Sequence, residues 1–198
     1  MSAEVFLAMV SFAFVMAFTP GPNNVMLTAS AANFGLVRSV PHMLGVTLGF
    51  VILLAASGAG LGALLTSIPS TQIALKIVGA AYMLWLAWKV ANAGPADDGS
   101  VTDARPLTFL QAVAFQWVNP KGVVIALGAI ALYVSSGRPV ADLMILLAVF
   151  GLVTLMSTVS WSLFGVALSR LLRDPRRARI FNICMAFLLV ASIVPMVL

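Results

Sequence analysis

The sequence predicts an all-α integral membrane protein of six transmembrane helices, arranged as two inverted three-helix repeats with helices 1 and 4 broken at mid-membrane. Three observations carry this. Of 198 residues, 62% are hydrophobic and only 9% are charged, too few charges to screen that much apolar surface from water. Six apolar runs stand between charged or turn-forming segments, each long enough for a membrane helix, which takes about 20 residues. Finally, Pro20-Gly21-Pro22-Asn23 interrupts the first run as Asn119-Pro120-Lys121 interrupts the fourth. Paired interruptions in matching halves point to the binding site of a transporter.

The runs cover residues 5–34, 40–65, 73–90, 107–134, 143–168 and 180–198. The N-terminus lacks a basic leader and a cleavage pattern, so no signal peptide is expected and the first helix is retained. In each half the order is long, long, short. The main hydrophilic stretch, residues 93–106, straddles the midpoint and carries Gly94, Pro95, Asp97, Asp98, Gly99, Ser100 and Asp103. It reads as a linker between repeats, which divides one compact membrane domain into a first repeat (1–93), a cytoplasmic linker (94–106) and a second repeat (107–198). Three spans per repeat is an odd number, so the second repeat enters from the opposite side and the two are inverted.

Orientation follows from the basic residues. Arg38, Lys89, Arg105, Arg170, Arg173, Arg176, Arg177 and Arg179 fall in or beside the loops after spans one, three and five, whereas Lys76 and Arg138 flank the other side. The positive-inside rule makes the crowded side cytoplasmic and places both termini outside. The net charge of +5 is accounted for by lipid and orientation signalling, and no nucleic-acid partner is expected.

Pro20, Pro22 and Pro120 each lack a backbone N–H and clash with the preceding turn. An unwinding over residues 19–23 is expected at the first break. In lipid such backbone is tolerated only where protein or a water-filled cavity covers it. Pro22 and Pro120 also suit the first turn of a new half-helix, whose free N–H groups and positive dipole end would point at the bilayer centre. Two converging ends form an anion site. The residues expected to bind substrate are therefore Thr19, Pro20, Gly21, Pro22, Asn23, Asn24, Gln116, Asn119, Pro120 and Lys121. Lys121 lies mid-span, where a charge costs at least about 2.5 to 3.5 kcal/mol, so its default reading is functional; carbonyls of the Thr19 region could hold it while another donor meets a ligand.

Other features exclude function classes. Neither G-x-S-x-G nor an acid pair lies at depth, so the chain is not expected to be an enzyme. His42 is the sole histidine and Cys184 the sole cysteine, so no metal site, redox relay or cofactor is expected. Gly45 with Gly49, and Gly58 with Gly62, form two G-x-x-x-G patterns suited to close packing inside the bundle, with a homodimer face as the alternative. Trp88 beside Lys89 reads as an interfacial anchor.

Thr19-Pro20-Gly21-Pro22-Asn23, His42-Met43-Leu44-Gly45, residues 79–87 (GAAYMLWLA) and Gln116-Trp117-Val118-Asn119-Pro120-Lys121 resemble, in this order and over essentially the whole chain, the LysE/RhtB family of bacterial amino-acid exporters. The resemblance implies efflux of amino acids or derivatives across the bacterial inner membrane, driven by the proton gradient. The acidic residues, Glu4, Asp97, Asp98, Asp103, Asp142 and Asp174, all lie in loops or near span ends. A basic substrate would bring a second charge to the midplane without a countercharge, which low dielectric forbids. A neutral substrate is expected instead, of the cysteine, O-acetylserine, threonine or homoserine kind. Its carboxylate would meet the half-helix ends and Lys121, and its ammonium the free carbonyls and Asn23. For a coupling proton the sequence offers His42, Asp142 and Glu4. A channel or a structural scaffold stays open as the other class, because broken helices also line pores.

Overall fold

The computed structural model describes residues 1–60, 69–92, 105–191 and 193–194. Most of the linker, residues 93–104, and Gly62 of the second glycine pattern lie outside the described residues. The described chain is all helical: α1 (Ala3–Phe18), α2 (Pro22–Phe34), α3 (Leu36–Gly58), α4 (Pro69–Ala91), α5 (Phe109–Val118), α6 (Pro120–Tyr133), α7 (Pro139–Ser169), a 3-10 turn (Leu171–Arg173) and α8 (Pro175–Ala191).

Local chemistry sets these boundaries. Ser2 caps α1 by accepting from the Val5 N–H, and Thr108 and Gln111 form a reciprocal capping box on α5, which together satisfy otherwise orphaned donors. Pro22, Pro120 and Pro139 each occupy the first turn of a helix, where a missing N–H costs nothing. Between α2 and α3 the connection is Gly35 alone, at φ 80°, a conformation that a Cβ would strain. Helix α3 therefore starts at Leu36, earlier than the expected residue 40, and carries Pro41 within it. Likewise α8 starts at Pro175, so Arg176, Arg177 and Arg179 belong to its first turns rather than to a loop.

Both expected breaks are present. Helices α1 and α2 bend by 53° and α5 and α6 by 67°, and each bent pair is long and apolar enough to cross a membrane as one unit. Among the described residues, α3 and α7 meet that criterion as single helices. The first break is narrower than the sequence suggested. Only Thr19, Pro20 and Gly21 leave the helix, because the fixed φ of Pro22 is already helical.

Packing places the bent pairs against the long helices. Helix α7 runs along α1 and α2, α3 runs along α5 and α6, and α4 packs on α8. One apolar cluster joins Met9, Phe50, Leu54, Leu146 and Phe150; another, toward the opposite end, joins Met26, Met83, Leu86, Phe115 and Leu189. The outer face is apolar as well, with Leu7, Val37, Leu110, Val124, Val140 and Phe187 exposed, as a lipid solvent requires.

Small residues permit the closest approaches, as the lack of a hydrophobic drive between membrane helices requires. A Cβ on Gly45 would lie 2.5 Å from the Phe109 carbonyl oxygen, and one on Gly49 2.7 Å from the Val113 Cα. The first G-x-x-x-G pattern thus seats α3 on the backbone of α5, inside the bundle. Gly165 of α7 is pressed in the same way on the Thr28 carbonyl of α2.

Backbone on the far side of Gly45 and Gly49 cannot yield as a flexible side chain would. Replacing both by Val is expected to cost about 1 to 3 kcal/mol per site from overpacking. Thermal unfolding in detergent should show the loss, while Gly128→Val, where nothing lies within 4 Å, leaves the midpoint unchanged.

Candidate functional site

Breaking a helix frees carbonyls at the end of one piece and N–H groups at the start of the next. At the first break two carbonyls, of Ala17 and Thr19, are each engaged twice. The Ala17 oxygen accepts from Asn24 Nδ2 at 3.0 Å and from Ser157 Oγ of α7 at 2.7 Å. The Thr19 oxygen accepts from Asn24 Nδ2 at 3.0 Å and from Lys121 Nζ across the bundle. Each oxygen has two lone pairs, so neither has room for a ligand.

The N–H side is different. Neither α2 nor α6 receives a side-chain cap. Their starts face the same cleft, which holds about 530 Å³ of empty space and is walled by α1, α2, α3, α6 and α7. Gly21, Pro22, Asn23, Asn24, Asn119 and Lys121 line it, together with Phe50, Phe150, Thr154, Ser157 and Thr158. Gly21 lets Lys121 pass close: a Cβ there would sit 2.8 Å from Lys121 Cδ and 3.2 Å from its Nζ.

Four of the ten residues expected to bind substrate stand elsewhere. Thr19 and Pro20 are exposed, Thr19 contributing its carbonyl. Pro120 starts α6 behind the lining. Gln116, fully buried, braces rather than lines: Asn23 Nδ2 donates to its Oε1 at 2.8 Å and its Nε2 donates back to Asn23 Oδ1 at 3.2 Å, and also to the Ala112 carbonyl at 2.9 Å. Asn23 Oδ1 thus accepts one bond from Gln116 and keeps a second lone pair at the cleft wall, and a further acceptor stands beside it. Asn119 Oδ1 is buried, in the cleft wall, and without a partner in the protein.

The proposed proton carriers separate widely. Glu4 is exposed in the first turn of α1. Asp142 is buried at the start of α7, where its Oδ2 accepts from the backbone N–H and the hydroxyl of Ser135, clasping the α6–α7 loop. His42 is 1% exposed in α3, with both ring nitrogens unpartnered, and faces a second cavity. None of the three lines the central cleft. Among the described residues no group of three or more His, Cys, Asp or Glu could hold a metal ion, and Cys184 is exposed.

Sequence reasoning missed the polar stripe of α7. Thr154, Ser157, Thr158 and Ser162 recur at helical spacing within an apolar span, the pattern that marks a face turned inward; Ser157, Thr158 and Ser162 are buried. It also missed the pairing of Asn33 with Asn182, whose amides lie 3.0 Å apart between α2 and α8.

This arrangement, two bent helices meeting in a cleft with a lysine across the gap, accompanies a match over residues 14–193 to the sequence profile of LysE type translocators. The chain belongs to that family. It is thus a membrane translocator and not an enzyme. It is 33% identical to the cysteine/O-acetylserine efflux proteins of Escherichia coli strain K12 and of Shigella sonnei strain Ss046, over 195 residues and 96% of each chain. To the cysteine/O-acetylserine efflux protein of Shigella flexneri it is 34% identical over 185 residues, 91% of each chain. No solved structure matches this translocator.

Reciprocal amide bonds make Asn23 and Gln116 one unit. Asn23→Ala and Gln116→Ala should each destabilise the protein by about 1 to 3 kcal/mol, because each deprives the partner amide, fully buried for Gln116 and partly buried for Asn23, of its reciprocal bonds. The double variant should lose less than the two together, with a coupling of about 0.5 kcal/mol or more. Unfolding midpoints of the four proteins measure this, and strict additivity would show that the pair contributes nothing jointly.

Proposed function

We propose that this translocator exports a neutral amino acid or small derivative, of the cysteine or O-acetylserine class, across the bacterial inner membrane. The observation that carries the proposal is the pair of uncapped half-helix starts facing one cleft with Lys121 between them. The substrate carboxylate sits at the free N–H groups of α2 and α6, where the dipole ends favour an anion. Lys121 uses one of its three donors on the Thr19 carbonyl and has two for the ligand. The ammonium meets Asn119 Oδ1. No described carboxylate lines the cleft, so a lysine or arginine side chain would be buried without a countercharge.

Relatives named for cysteine and O-acetylserine efflux at 33% identity support this substrate class. The six-span inverted repeat belongs to the same reading. Exchanging spans one, two and three with four, five and six maps α7 on α1 and α2 onto α3 on α5 and α6, and leaves the α3–α7 and α4–α8 pairings in place. Such symmetry supports alternating access about the central cleft, with the basic end cytoplasmic, both termini periplasmic, and flux coupled to protons. Lipid surrounds the apolar exterior, and a homodimer would need a face other than Gly45 and Gly49.

Uptake of a panel of labelled neutral and basic amino acids by inside-out vesicles, with and without a proton gradient, tests the proposal. Saturable, gradient-dependent flux with counterflow is expected for small neutral substrates only. Flux without coupling or counterflow would make the protein a channel. Lys121→Arg should retain binding, since guanidinium still attracts a carboxylate, and Lys121→Ala should lose it. Replacing Pro20 and Pro22 together by Ala should preserve insertion and abolish flux, because alanine continues the helix and removes the second N-terminus. Normal flux from that double variant would reduce these prolines to packing kinks.

A further inference from the structure

A second cavity, with about 520 Å³ of empty space, opens at the basic end between α2, α3, the end of α4 and residues 105–107. Its polar wall is Ser30, Asn33, His42, Lys89 and Arg105. Ser30 is paired with Ser39 at 2.9 Å and Asn33 with Asn182, so neither amide nor hydroxyl is idle. His42 is different: it is 1% exposed and neither ring nitrogen has a protein partner. An unsatisfied imidazole at that depth is a cost that a ligand would remove.

The charges at the mouth are of one sign. Lys89 holds its Nζ over the Trp85 ring, 4.8 Å from the centroid, an arrangement that fixes an ammonium without neutralising it. Arg105 is exposed. Among the described residues that line the cavity there is no carboxylate. Its apolar floor is Met26, Leu86 and Leu107.

This cavity is stacked on the central cleft. On α3, His42 faces the second cavity while Val46 and Phe50, one and two turns on, face the first. On α2, Met26, Ser30 and Asn33 face the second, and Pro22 and Asn23, one turn back, face the first. Spacings of three and four residues put each set on one helical stripe. The layer between is Met26, Val46 and the Asn23–Gln116 pair.

We propose that the second cavity is a binding site for a small zwitterionic amino acid, lying on the route to the central cleft. Lys89 and Arg105 take the carboxylate, which a guanidinium can grip with two parallel bonds. The ring nitrogen of His42 that carries no proton accepts the ammonium, and the floor takes a short side chain. The proposal rests on the exporter reading for its place on a route, but the binding itself does not require transport.

The test uses the full-length protein in nanodiscs of phosphatidylcholine, titrated with O-acetyl-L-serine, its methyl ester and inorganic phosphate, with occupancy read by calorimetry. Wild type should bind two equivalents of O-acetyl-L-serine and bind the ester weakly. The Lys89→Gln, Arg105→Gln double variant should lose one equivalent, or weaken it about tenfold or more, as expected when charge-assisted bonds are removed. His42→Leu should weaken the same equivalent, and Lys121→Ala the other. Because the glutamine variant could misfold, Lys89→Arg with Arg105→Lys serves as its partner and should restore the lost equivalent.

Unchanged stoichiometry and affinity in the glutamine variant would overturn the proposal, as would absence of binding to wild type. Equal affinity for the ester would show that the carboxylate is not recognised. Displacement by phosphate, or by phosphatidylglycerol placed in the nanodisc, would assign the cavity to an anionic headgroup instead. Flux separates the two readings. Wild-type binding that the glutamine variant loses, with no gradient-dependent flux of any amino acid, sustains this site and sinks the exporter. Flux with an unchanged KM and unchanged binding in the variant does the reverse.

Discussion

An interrupted helix in lipid must satisfy its own freed backbone, and the arrangement of this protein follows from that constraint. Lipid cannot bond the carbonyls that the first break exposes, and protein donors take two of them. Asn24 bridges the Ala17 and Thr19 oxygens from within the same bent helix, Ser157 reaches Ala17 from α7, and Lys121 reaches Thr19 from α6. Three different elements are thereby tied to one unwound turn. The N–H ends of the two half-helices are left without side-chain caps, which turns two sets of open donors toward one cleft. Binding an anion there completes a set of bonds that the chain itself leaves open.

Close packing makes this possible. Gln116 reaches Asn23 only because α5 lies directly on α3, and α5 can lie there only because Gly45 and Gly49 present no side chain to it. The same logic brings α7 to α2 at Gly165, next to the hydroxyl of Thr28, which donates to the Trp161 carbonyl at 3.3 Å. In lipid, where apolar contact confers no advantage over the solvent, such backbone approaches and the polar bonds they permit supply the specificity of the fold.

Much of this was legible in the sequence because proline and glycine have few conformational options. Pro22 and Pro120, each set beside a glycine or asparagine, favour ending one helix and beginning another, and Gly45-x-x-x-Gly49 favours a close neighbour. The identity of the neighbour was not legible. Nor was the difference between lining and bracing: Gln116 and Asn23 carry the same amide, and only the tertiary fold turns one away from the cleft and keeps the other on its wall. The polar face of α7 was hidden for a further reason. A serine or threonine in a helix can satisfy itself on its own preceding turn, as Thr47, Ser57 and Ser160 do, so hydroxyls in an apolar run carry little information alone. Ser157 differs in bonding a carbonyl 140 residues away, which no local pattern announces.

The positions of the ionisable groups constrain how a proton could oppose a substrate. Exchange requires that each weaken the other's binding, and linkage makes that effect reciprocal. A carboxylate bound beside Lys121 favours the charged form of that lysine, which is the sign for cotransport. On the proposed reading Lys121 is the anchor, and any opposition by a proton would have to arise elsewhere. Glu4 is exposed at the far end of α1 and Asp142 is held by Ser135, so neither meets a ligand in either cavity. His42 is differently placed. It lines the second cavity with Lys89, Arg105, Ser30 and Asn33, and the one lone pair of a neutral imidazole can hold a proton or the ammonium of a ligand but never both. Mutual exclusion at a single atom is the simplest physical form that proton exchange would take, and of these three candidates His42 is the one that lines a described cavity.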